Sequence, residues 1–544
     1  MSDMIRQMFR LRGASLVAAA LVVTPVLAQD TPHHGDAGKL GTVKFANSCS
    51  AEAQPAFAQG MALLHSFEFG PAMDAFAEVT RTDPSCGIAQ WATGLAQWAN
   101  PFAIGIKPPA QMQAGRTALE RAAAIGSKTA RERDFVAAAA LLYDRFETVD
   151  QRLRMRAYRD AMARVSATYR DDSEAAAFYA LALAAAADPA DKTYADQLKA
   201  GAILEKLWAT QPDHPGLAHY IIHTYDVPAL APKAVIAARR YATIAPAAPH
   251  ALHMPSHTFT RLGYWQDSID TNLLSATAAR QVGAAYEEMH ASDYQAYAYL
   301  QTGQDAAARR LVDGLAEQMN RTNRAIVSAA GPAAGSYALA AIPARYALER
   351  GAWAEAARLE SHPSRVAYAD ALTWFARGLG GARGGDLVTA RAAIDDLQKA
   401  IDRLAQGNEP YWVEQATIQK LGASAWLALA DGRTSEALAT MREAADREDR
   451  TEKSAVSPGP LAPARELLAE MLLQLKEPKE ALTEFQKTMA KEPNRFRGLA
   501  GAADAATQAG DRASARTYYR QLLTMCAKAD TPGRPELVKA RAAR

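Results

Sequence analysis

From about residue 51 to the C-terminus, apolar positions recur at steps of three and four, the period of a helix that buries one face. Runs of Val, Ile and Thr in strict alternation are missing, so no sheet is expected. The helices come in pairs. Ala481, Phe485 and Pro493 set a small residue, an aromatic and a helix-ending proline in order, and Ala515 and Tyr519 repeat the first two 34 residues later. Gly60, Ala72, Phe76 and Pro84 keep the same spacing near the start, with Gly94 following Gly60 by 34. Weaker hairpins read from "YLQTGQDAAARRL", "RYALERGAWAEAARL" and "WLALADGRTSEALATM".

A 34-residue helix–turn–helix repeat is the tetratricopeptide (TPR) signature, so the fold expected is all-α, a TPR-like superhelical solenoid of antiparallel helix pairs. Stacking also accommodates the length: 544 residues exceed what one compact core serves, whereas a solenoid unit needs only its neighbours. Two segments break the regularity. Prolines deny helical hydrogen bonds to 101–109, "PFAIGIKPP", and to 451–463, "TEKSAVSPGPLAP". The expected organisation is a leader over 1–28, an extended segment over 29–50, a histidine-bearing superhelix over 51–330 and further hairpins over 331–450. The connection 451–463, a C-terminal repeat pair over 464–526 and a tail over 527–544 complete it.

The leader follows from Arg6, Arg10 and Arg12, the apolar run Ala14 to Leu27, and the small residues Val26 and Ala28 at a peptidase site. That run is short of the roughly 20 residues that span a bilayer, and Gln29 rather than cysteine follows the cut. A periplasmic or secreted protein without a membrane span is expected. Losing three arginines and Asp3 takes the net charge from +2 to about 0, which argues against nucleic acid as the partner. In an oxidising compartment Cys49 and Cys86, which flank the first hairpin, are expected to form a disulfide, leaving Cys526 as a buried thiol.

Histidine changes the picture most. Seven of the 11 (His214, His219, His223, His250, His253, His257 and His290) lie between 214 and 290, where even spacing would place one or two. His219 and His223 are one helical turn apart and share a face. His250, His253 and His257 step by three and four, but Pro249 and Pro255 interrupt the helix, so Pro255 is expected to open a new one just after His253. His257 follows His223 by 34 residues and His290 follows His257 by 33, which puts them at equivalent places in successive repeats. His219, His223, His253, His257 and His290 are therefore expected to line one cavity and hold zinc, copper or iron. His250, Tyr225, Asp226, Trp265, Asp293 and Tyr294 are expected as ligand contacts or outer-shell groups, and Met254 and Met289 would favour copper if either reached the centre. His65 lies outside the cluster in sequence; a closed superhelix would bring it near.

No HExxH, Walker A loop, dinucleotide fingerprint, GxSxG elbow or paired-cysteine site appears. The segments "SCSAEAQPAFAQGMALLHSFEF", "HPGLAHYIIHTYDVP", "APHALHMPSHTFTRLGYW" and "MHASDYQAYAYLQTGQ" resemble a group of secreted bacterial TPR proteins over most of the mature chain. The resemblance implies a TPR fold and a histidine pattern at His65, His219, His223, His253, His257 and His290, and brings no reaction with it. The function expected is an exported scaffold that binds a peptide, protein or small ligand on its concave face and carries a divalent-metal site. The alternative is a periplasmic histidine-ligated metalloenzyme of unknown reaction.

Overall fold

The computed structural model describes residues 39–543 apart from 104, 322–326, 363 and 365; the expected leader and the start of the extended segment lie outside the described residues. The chain is an all-α, TPR-like solenoid with no strand among the described residues. Helices joined by three-residue turns pack side by side and so run antiparallel. Gln54–His65 pairs with Phe69–Thr82, Trp265–Gln281 with Ala285–Gln301, and Phe496–Gln508 with Arg512–Met525.

The repeat residues show why the pairs close so tightly. A β-carbon at Gly60 would lie 2.6 Å from the Phe76 ring, and one at Gly501 would lie 2.1 Å from Phe485. Each glycine thus makes room for the aromatic of a neighbouring helix, and both rings are fully buried. Cys49 and Cys86 are joined as a disulfide with Cα atoms 4.8 Å apart, and Cys526 is buried and free.

The last repeats return onto the middle of the chain. The Trp265 indole N–H donates to the Asn494 carbonyl at 2.6 Å, and the buried Arg495 guanidinium reaches Tyr297, Glu349 and Glu466. Residues 527–543 are not the tail expected from the sequence. Asp530 N–H donates to Gly303 O, Arg534 pairs with Asp305, and helix Pro535–Ala542 buries Leu537 against the last repeat. The 451–463 connection is non-helical, as its prolines require, and it too faces the middle of the chain: the Lys453 ammonium lies 3.1 Å from Asp226. No helix among the described residues is long and apolar enough to cross a membrane.

Candidate metal centre

Four helices bring the histidines together. Proline at the first position starts Pro215–Thr224, Pro249–His253 and Pro255–Leu262, where its missing N–H costs nothing. The first of these carries His219 and His223, the second His250 and His253, and the third His257; His290 comes from Ala285–Gln301. All six are buried.

The arrangement corrects the expectation of one five-histidine centre. His219, His223 and His250 form one group and His253, His257 and His290 another, with one ring nitrogen per residue lying within 4.8 Å of the others in its group. The break at Met254 is the cause: the short helix Pro249–His253 turns His250 toward His219 while His253 stays with His257, four residues on. Neighbouring rings across the divide, His223 with His257 and His250 with His253, have centroids 5.8 and 6.1 Å apart, so the groups share one buried region.

Outer partners fix which nitrogen faces inward. In the second group His253 Nδ1–H donates to Asn272 Oδ1 at 2.7 Å, and the Asn272 amide is itself oriented by donating to Ser268 O at 2.7 Å. His257 Nδ1–H donates to Asp226 at 3.0 Å. Both Nδ1 protons being committed outward, the two Nε2 atoms meet lone pair to lone pair at 3.1 Å. In the first group His219 Nδ1–H donates to the His65 carbonyl at 2.7 Å, and the Nε2 atoms of His219, His223 and His250 have no hydrogen-bond partner.

Charge agrees with neutral rings. Burial, then the neighbouring imidazoles, holds His219, His223 and His253 well below the ordinary histidine value. Burial pulls His257 down to about 4 against the opposing pull of Asp226, and His290 down to about 3. A neutral imidazole offers a lone pair, which is the form that binds a metal. Beside His250 lie two carboxyls without a lysine or arginine partner among the described residues: Glu287, 3.7 Å from the ring, and Glu68, which accepts from the His250 backbone N–H at 3.0 Å. Burial and then repulsion from Glu287 push Glu68 up to about 7.

No protein-family model matches the chain and no curated protein is similar to it. Among solved structures, the chain is similar to the human IFIT1 dimer with m7Gppp-AAAA, at 10% identity over 81% of this chain and 90% of that one, with a TM-score of 0.38. It is also similar to the APC/C hetero-tetramer Cut9-Hcn1, at 11% identity over 90% of each chain, with a TM-score of 0.32. The TPR-like assignment stands on the helix pairs and 34-residue spacing of this chain itself, and the expected absence of a nucleic-acid partner rests on net charge alone.

Of the expected outer residues, two join the centre. Asp226 holds His257 and is itself held by Arg261 and Lys453, and the Tyr294 ring lies 4.7, 5.0 and 5.3 Å from those of His253, His257 and His290. Three have other partners: the Tyr225 hydroxyl donates to Glu205, the Trp265 indole to Asn494 O, and Asp293 accepts from Arg345. His250, expected as an outer contact, sits among the ligand atoms of the first group. Met289 packs with Ala296, Leu315 and Ile342, and Met254 lies in the large apolar core. Asn272, Lys453 and the Phe102 ring, stacked on His223 at 4.4 Å, had no signal in the spacing of the sequence.

Proposed function

We propose that this chain is an exported TPR-like metalloprotein whose helices hold two transition-metal ions, one in each histidine group. The observation that carries the reading is the 3.1 Å approach of His253 and His257 Nε2, each with its Nδ1 proton already given to an outer acceptor. Two facing lone pairs repel unless a cation lies between them. Three imidazoles, two of them with oriented outer partners, are a metal-binding set, and imidazole suits copper, zinc and iron.

Charge favours copper in its monovalent state. A metal-bound imidazole would add no charge of its own, and Asp226 is already matched by Arg261 and Lys453. Glu68 and Glu287 remain; even with both ionised, they balance two single positive charges but not two double ones. An unbalanced buried charge costs several kcal/mol, on the order of the whole stability of a domain. Elemental analysis of untagged protein, purified after copper, zinc and iron are supplied in turn, tests this. Copper should be retained in both groups, with one ion fewer in His253→Ala and in His219→Ala at unchanged helical content; less than about 0.1 metal per chain in every case would sink the reading.

A partner-binding role has its own observation. A cavity of about 80 Å³ is lined by Tyr337, Tyr368, Phe375, Tyr411, Trp412 and Lys453, with Tyr368 and Trp412 stacked at 4.0 Å. Its Lys453 also holds Asp226, the outer partner of His257, so a peptide or small ligand bound there would touch the side chain that holds the orienting carboxylate.

A further inference from the structure

A third cluster stands apart from both groups. His65 ends helix Gln54–His65, Glu174 is in the first turn of Ser173–Ala185, and His214 caps Pro215–Thr224. Their side chains are at most 2% exposed. His65 Nε2 lies 3.0 Å from one oxygen of Glu174 and His214 Nε2 lies 2.9 Å from the other. The two rings meet nearly at right angles, 74° apart with centroids at 4.7 Å, so their Nε2 edges converge on one carboxylate.

The surroundings hold this geometry. The Tyr220 hydroxyl, 2.8 Å from His65 Nδ1, fixes that ring with Nε2 inward. Gly216 lets the start of its helix approach: a β-carbon there would lie 2.4 Å from His65 Nδ1. What the cluster lacks is a cation. Among the described residues the ion-pair partners of Glu174 are the two imidazoles alone, with no lysine or arginine. His214 Nδ1 has no hydrogen-bond partner.

We infer that His65, Glu174 and His214 form a third metal site that takes one divalent ion of the iron(II), zinc or manganese(II) class. Two imidazoles and one carboxylate are a donor set suited to such ions. The anionic donor sets it apart from the all-histidine groups, because it neutralises part of a double charge that they would leave unbalanced. Ligand atoms about 3 Å apart also match neighbouring positions around an ion with bonds of about 2.1 Å. With a metal on Nε2, the His65 proton moves to Nδ1 and is donated to the Tyr220 oxygen. The site touches the first histidine group through one bond, from His219 Nδ1–H to the His65 carbonyl.

Anomalous diffraction from crystals of the full mature chain equilibrated with cobalt(II) tests the site without any variant. A peak bounded by His65 Nε2, His214 Nε2 and the Glu174 carboxylate is expected, and Glu174→Gln should lose it while any peaks at the other two groups stay. No peak there in the wild-type chain with cobalt(II), zinc, iron(II) and manganese(II) each in excess would overturn the inference and leave a carboxylate hydrogen-bonded by two imidazoles. An unchanged peak in Glu174→Gln would equally remove the carboxylate from the site. Because the other two groups have their own positions in the same map, their filling or emptiness is read independently.

Discussion

The two all-histidine groups are built from the same short stretch of chain, yet their rings are held differently. In the second group side chains do the holding: Asn272 on His253, Asp226 on His257, and Arg261 and Lys453 behind Asp226. In the first, one backbone carbonyl orients His219, and ring stacking does the rest, with Tyr241 on His219 and Phe102 on His223. Hydrogen bonds select a tautomer and an angle, whereas stacking selects only a plane. The second group is therefore the more rigidly held and the first the more adaptable, so under the proposed function the second would hold an ion tightly and the first would exchange one more readily.

The largest effect should come from acid, which attacks both groups at once. Burial depresses the folded-state values of His219, His223, His253, His257 and His290, so the unfolded chain takes up protons first as pH falls. Stability of the metal-free protein should be full above about 6.5 and fall progressively as pH drops through about 4 and then about 3, at roughly 1.4 kcal/mol per pH unit for each ring that stays neutral in the fold. Denaturant titrations at pH 7.5 and pH 5 check this, and equal midpoints would mean that the rings are protonated or solvated in the fold. Asn272→Ala comes next and separates the groups. It should weaken the second-group ion by about 10- to 100-fold and leave the first within a factor of about two, as competitive chelator titration would show; equal weakening of both would erase the distinction. The smallest effect belongs to Phe102→Ala, which removes a half-buried ring from His223 without touching a ligand. Stopped-flow exchange should become several-fold faster for the first ion alone, and faster loss of the second instead would place the entry route elsewhere.

Much of this arrangement is legible in the sequence because it follows from local geometry. The 34-residue repeat carries the fold, and Pro255 marks the helix start expected of it, whereas Pro215 and Pro249 open helices not expected of them. The pairing of His219 with His223 needs nothing beyond one helical turn. The division into two groups depends on how a five-residue helix turns at Met254, which no periodicity records. Tyr225, Trp265 and Asp293 sit close to the cluster in sequence, but Glu205, the Asn494 carbonyl and Arg345 claim them from up to 229 residues away. Glu174 has no signal in the sequence for the converse reason: it lies 109 residues from His65 and 40 from His214, in the alanine-rich helix Ser173–Ala185.

Copper K-edge X-ray absorption on the mature chain loaded with two equivalents of copper(I), in the Glu174→Gln background so that only the all-histidine groups report, addresses the central claim most directly. The account predicts two retained copper ions per chain, each with a shell of three imidazole nitrogens at about 2.0 Å and no sulfur. A sulfur scatterer near 2.3 Å, or copper removed by gel filtration, would contradict it.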